Sequence, residues 1–228
     1  MSLILPHKVE RIESPFIVAC EGFGDVCLVE QLLKLKKITT CRVGCPSRTG
    51  VGGDGKDFLN KYLSAISLAA NNGAVQMVRG LLVVVDADDS PETAFKLACS
   101  ALEYAEYPIP DSAFTPKDEN GVTTAVYLIP GKNETGTLEH LLLGAAFDSS
   151  KSSEPCIDSL LACIGRAPDN EPNTLAKMKM SALVASAFPS NPWATLGPLL
   201  QNSRNEIVPI ESIHFKHLAD FLAEFCKE

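Results

Sequence analysis

The stretch Leu81-Leu82-Val83-Val84-Val85 constrains the fold of this chain more than any other, because it is aliphatic throughout and stops on Asp86-Ala87-Asp88. A strand with one wet face alternates polar and apolar residues. An unbroken run of strand length predicts burial on both faces, as in the middle of a parallel sheet covered by helices. Phe16-Ile17-Val18-Ala19-Cys20 has the same character and also ends on an acid, Glu21.

Helical patterns follow both runs. Val26, Leu28, Val29, Leu32 and Leu33 repeat at helical spacing across residues 25–36. Asp89-Ser90-Pro91-Glu92 is a helix start, with a Ser cap, Pro in the first turn and an acid at the positive end of the dipole; that helix extends to about Glu106. Residues 39–43 read as a second strand, residues 44–55 as a loop, and Phe58, Leu59, Tyr62, Leu63, Ile66 and Leu68 as one side of the next helix. Residues 107–121 are expected to be a Pro-rich loop and residues 123–129 a fourth strand. After the turn at residues 130–136, a helix begins near Thr137 and carries Leu138, Leu141, Leu142 and Leu143.

Alternating strands and helices predict a parallel sheet with right-handed crossovers. The expected fold is therefore α/β, a Rossmann-like sheet of about four mainly parallel strands flanked by helices. The core spans residues 1–148, and residues 149–228 form a C-terminal helical extension packed on it, interrupted near residues 167–172 and 188–193. In the second interruption Pro189, Pro192 and Trp193 are expected to lie in a loop of a region that packs against the sheet and covers the site. Phe215, Leu218, Phe221, Leu222 and Phe225 form a helical stripe that reads as core rather than as a dimer interface.

The first thirteen residues carry charges where a signal peptide needs an apolar centre, and the longest apolar runs have strand length, so the expectation is a cytoplasmic protein with no membrane span. The eight cysteines then read as small buried apolar residues. Cys41-x-x-x-Cys45 with His214-x-x-His217 could form a zinc site on paper, but packed thiols and surface histidines are the simpler account. A net charge of −8 counts against a broad basic surface for duplex nucleic acid. It does not exclude a nuclease, because site carboxylates contribute to the deficit and bound cations reverse the local sign.

Gly50-Val51-Gly52-Gly53-Asp54-Gly55-Lys56-Asp57 has phosphate-loop spacing as far as the lysine, then places Asp57 where a magnesium-binding hydroxyl belongs. It also follows Pro46-Ser47-Arg48 rather than a strand, so it reads as a loop capping a helix. The acids carry more. Glu21 and Asp25, Asp86 and Asp88, and Glu139 after the fourth strand all fall at the carboxyl edge of the expected sheet. Each cluster alone is an ordinary turn or cap. Together, five carboxylates repel strongly unless a hard divalent cation joins them. Lys177 and Lys179 are candidates for the positive group that stabilises a transition state.

On Val18-Ala19-Cys20-Glu21-Gly22 and Val84-Val85-Asp86-Ala87-Asp88, the chain resembles the TOPRIM fold of topoisomerases, primases and OLD-family nucleases. Asp25, Gly136-Thr137-Leu138-Glu139 and the segment at Lys177–Lys179 make it similar to the OLD branch, without that branch's ATPase. Over most of its length it looks closest to a small stand-alone TOPRIM-like family of uncharacterised bacterial proteins. The resemblance implies Mg2+ or Mn2+, one or two ions, at Glu21, Asp25, Asp86, Asp88 and Glu139. Glu21 could act as ligand or general base, and Lys177 or Lys179 as the transition-state cation. The expected activity is a metal-dependent phosphodiesterase, foremost a nuclease acting on DNA or RNA by metal-assisted hydrolysis. The alternatives are a non-catalytic metal- or nucleic-acid-binding module acting through a protein partner or as a homodimer, and a phosphatase or ligase-like enzyme on a nucleotide.

Overall fold

In the computed structural model, residues 14–48, 53, 55–71, 78–151, 153–165, 171–188, 190–191, 194–201 and 207–227 are described. The expectations for residues 1–13, for most of the glycine-rich loop, for residues 167–170 and for Pro189, Pro192 and Trp193 fall outside them. Five strands form one sheet: β1 (Phe16–Cys20), β2 (Cys41–Gly44), β3 (Gly80–Asp86), β4 (Lys117–Glu119) and β5 (Val122–Ile129), in the order β2-β1-β3-β5-β4. β2, β1, β3 and β5 are parallel, and β4 is antiparallel to β5.

The four parallel strands are the ones expected; β4 adds a short antiparallel edge and corrects the reading of residues 107–121 as loop throughout. It joins β5 through Asn120 and Gly121, both with positive φ (55° and 77°), the two-residue turn that Asn-Gly favours between antiparallel strands.

Eight helices are described: α1 (Phe23–Leu35), α2 (Leu59–Asn71), α3 (Pro91–Tyr104), α4 (Leu138–Ser149), α5 (Ser153–Cys163), α6 (Pro172–Ala187), α7 (Leu196–Gln201) and α8 (Lys216–Phe225). Ser90 caps α3 by accepting the Thr93 amide at 3.2 Å. The alternation along β1 and β3 splits the core. Ile17, Ala19, Leu81, Val83 and Val85 pack with α2 and α3. Phe16, Val18, Cys20, Leu82 and Val84 face α1, α4 and the C-terminal helices. Phe215, Leu218, Leu222 and Phe225 are buried in that second cluster, so the stripe on α8 packs into the core. No helix of the described residues is long and apolar enough to cross a membrane.

The cysteines depart from the reading as packed thiols. Cys20, Cys27 and Cys45 are buried, but Cys156 and Cys163 are exposed, and Cys41 and Cys226 form a disulfide between β2 and the end of α8. The paper zinc site is dismantled accordingly. His217 Nδ1 meets the Tyr127 hydroxyl at 2.8 Å, and His214 Nε2 meets Asp148 at 2.8 Å.

Candidate functional site: an acidic edge at the ends of β1 and β3

β1 and β3 are neighbours in the sheet, yet the chain leaves β1 toward β2 on one side and returns to β3 on the other. Such a reversal opens a crevice at the carboxyl ends of the strands. Glu21 is the first residue past β1, and its amide donates to the Val84 carbonyl at 3.1 Å. Asp86 is the last residue of β3.

Glu21, Asp25 and Asp86 are each placed by a backbone donor, and Glu139 by a side-chain hydroxyl. Glu21 Oε2 accepts the Asp86 amide at 3.2 Å. Asp25, in the first turn of α1, accepts the Gly22 amide at 2.9 Å and so closes the start of its own helix. Asp86 Oδ1 accepts the Leu138 amide at 2.9 Å, which fastens the start of α4 to the end of β3. Glu139 Oε2 accepts the Thr137 hydroxyl at 2.7 Å. The N-termini of α1 and α4 thus converge here, and their dipoles offset part of the negative charge. Asp88 has φ of +50°, a left-handed conformation that Asp tolerates, and pairs with Gly136 through two backbone hydrogen bonds of 2.7 and 2.8 Å. That pairing holds the segment after β3 beside the turn that leads into α4.

The electrostatics follow from burial and crowding. Asp25 is 6% exposed, and its second oxygen, Oδ1, is buried without a hydrogen-bond partner among the described residues. Burial, followed by the charge of Glu21 and then of Glu139, pushes its carboxyl up to about 7. Asp86 rises well above the ordinary carboxylate range, first from burial and then from Asp25, Glu21 and Glu139. Glu21 also rises by burial, against the pull of Lys56 and Lys177. Asp25 and Asp86 therefore each sense both Glu21 and Glu139, and Asp88 reaches the group through Glu21.

The two candidate lysines separate. Lys177 and Glu139 stand in one groove of about 690 Å³, whose walls include Met180, Ser181, Val184 and Leu196. Lys179 turns to α5, where its ammonium is 2.7 Å from Asp158 and 4.0 Å from Glu154. Its geometry is that of a helix–helix tie rather than of a site cation. Asp89 accepts from Asn173 at 2.9 Å, so it too is engaged by α6.

Sequence reasoning missed three participants. Lys56, set aside with the failed phosphate loop, places its ammonium 2.5 Å from Asp88 and 3.8 Å from Glu21. Thr137 is fully buried and orients Glu139. His140 Nδ1 accepts the Thr137 amide at 3.1 Å, and burial lowers its proton affinity against the opposing charge of Glu139. The signal for Thr137 and His140 was the Thr-x-x-His spacing, which mimics a capping box. For Lys56 the signal was a lysine directly after a glycine in a loop that leads from β2.

Among the described residues, no three acids, histidines or cysteines converge as a ready-made metal cage. Their chemistry nevertheless fits a hard divalent cation. The set offers only oxygens, burial and acidic neighbours push Asp25 and Asp86 up, and Asp25 keeps a buried oxygen without a hydrogen-bond partner among the described residues. Glu21, Asp25, Asp86 and Glu139 would hold such an ion, with Asp88 at its margin.

Comparison with curated proteins and with solved structures gives no match. One family model matches residues 15–227, nearly the whole chain and every element of the acidic edge. The chain belongs to that family, described as a protein of unknown function, DUF3226.

Proposed function

We propose that the acidic edge binds Mg2+ or Mn2+ and hydrolyses phosphodiesters, foremost as a nuclease on DNA or RNA. The observation that carries this reading is the meeting of the buried Asp25 with the half-buried Glu21, Asp86 and Glu139, from the ends of β1 and β3 and the starts of α1 and α4, with Lys177 beside Glu139. A TOPRIM-like assignment is supported by the same arrangement, since Glu21 and the Asp86-Ala87-Asp88 motif lie at the carboxyl ends of adjacent parallel strands.

A bound divalent cation supplies charge for the phosphate and lowers the proton affinity of an attacking water. The chain's own residues do the rest. The backbone donors hold Asp25, Asp86 and Glu21 in register, Glu139 and Thr137 fix the start of α4, and Lys177 supports developing negative charge on the phosphate. The apolar wall of the groove, Met180, Val184 and Leu196, gives a base or other apolar substituent a surface to rest on. A net charge of −8 counts against a broad basic surface for duplex, so nucleic acid would be held at the acidic edge itself through the bound cation.

Incubation with supercoiled plasmid and single-stranded RNA in Mn2+ or Mg2+, beside Glu21→Gln and Asp86→Asn, tests the proposal. Cleavage by wild type that is lost in both variants supports it. Metal binding without cleavage of either polymer refutes hydrolysis of these substrates. That outcome favours the second reading, a non-catalytic metal-binding module acting through a partner, to which the engagement of Asp25 and Asp86 as helix caps already lends weight.

A further inference from the structure

Most acids of this edge receive neutral donors: the Gly22, Asp86 and Leu138 amides and the Thr137 hydroxyl. Glu21 and Asp88 also share a full positive charge, the Lys56 ammonium. Its position is built by the backbone. The Gly55 amide donates to the Glu21 carbonyl at 3.3 Å, and Gly55 takes φ of +110°, a conformation open to glycine. The 3-10 turn Lys56–Phe58 follows, closed by the Phe58 amide on the Gly55 carbonyl at 3.1 Å. The Lys56 side chain is only 13% exposed, so the loop delivers it into the crevice rather than to solvent.

We propose that Lys56 competes with a divalent cation for the acidic edge, its ammonium and the metal sharing the Glu21 and Asp88 oxygens in turn. The inference rests on the metal-binding reading above. Like charges against the same oxygens repel, so metal entry expels the ammonium toward the mouth of the crevice, and removing Lys56 relieves that opposition. Lys56 is thus a positioning residue, which keeps two carboxylates in place and sets the cation concentration at which the site loads.

Two measurements test this with the full chain. Calorimetric titration with MnCl2 is expected to give about tenfold or more tighter binding to Lys56→Met than to wild type. In wild type, labelling of Lys56 by an amine-reactive reagent, read by mass spectrometry, is expected to accelerate several-fold at saturating Mn2+. The exposed Lys96 serves as the unchanged control. Equal or weaker Mn2+ binding by Lys56→Met overturns the inference and leaves the metal site standing, as does unchanged labelling at saturation. Failure of both proteins to bind Mn2+ overturns the metal reading, and the inference with it. If Lys56→Met does not fold, the wild-type labelling decides alone.

Discussion

Replacing Asp25 by Asn should stabilise the protein at pH 8 and leave it unchanged at pH 4. The Asp25 carboxyl sits at about 7 in the fold against an ordinary value of 3.8. Between these values the folded chain binds a proton that the unfolded chain has released, so stability falls as pH rises through this window and stays low above it. The difference between these two values corresponds to about 4 kcal/mol. Glu21, itself raised by burial, contributes to that difference and can take up a proton in Asp25's place, which reduces the expected gain to roughly 2–4 kcal/mol. Asn keeps an oxygen for the Gly22 amide, and its NH2 can donate to the neighbouring carboxylates. Urea unfolding in EDTA from pH 4 to 8.5 reads the effect directly, because a gain of that size moves the midpoint by about 1 M. Wild type should lose stability between pH 4 and 7, and Asp25→Asn should lose less. A flat wild-type profile, or a variant no more stable at pH 8, would refute the claim that these carboxylates are crowded in a low-dielectric crevice.

Gly55→Ala forces a side chain into positive φ and should cost about 1 kcal/mol, measured by thermal unfolding. It should also loosen Lys56, measured as faster amine labelling without metal. If cleavage is found, Lys177→Met should lower kcat on the order of a hundredfold. Lys179→Met should leave kcat unchanged and cost up to about 1 kcal/mol of stability, since its partner Asp158 is half exposed. Reduction of the Cys41–Cys226 bridge, which closes a separation of 185 residues, should lower stability by roughly 2–5 kcal/mol in urea titrations with and without dithiothreitol. An unchanged midpoint with the bond demonstrably reduced would place that link outside the stability of the fold.

Much of this architecture is legible in side-chain pattern alone. Phe16–Cys20 and Leu81–Val85 announce buried parallel strands because no polar residue interrupts them, and Ser90-Pro91 marks the start of α3 because a cap and a fixed φ are local chemistry. The acids Glu21 and Asp86 could be placed at one edge once their strands were assigned, since a strand's last residue must lie at its end. β4 escaped because Lys117–Glu119 is polar and pairs through its backbone, although Asn120-Gly121 was a readable turn.

What pattern could not supply was every relation between distant side chains. Cys41 meets Cys226, Asp86 holds the start of α4, and Lys177 and Lys179 part company one turn-fraction apart on α6. Lys56 is the plainest instance, since its motif pointed to phosphate and its fold delivered it to carboxylates. The sequence by itself determined the strands, most helices and the gathering of acids at one edge, because these follow from local period and strand ends. Tertiary structure alone decided which oxygens are capped by amides, which are left open and which cation faces them, because those contacts depend on how separate elements dock.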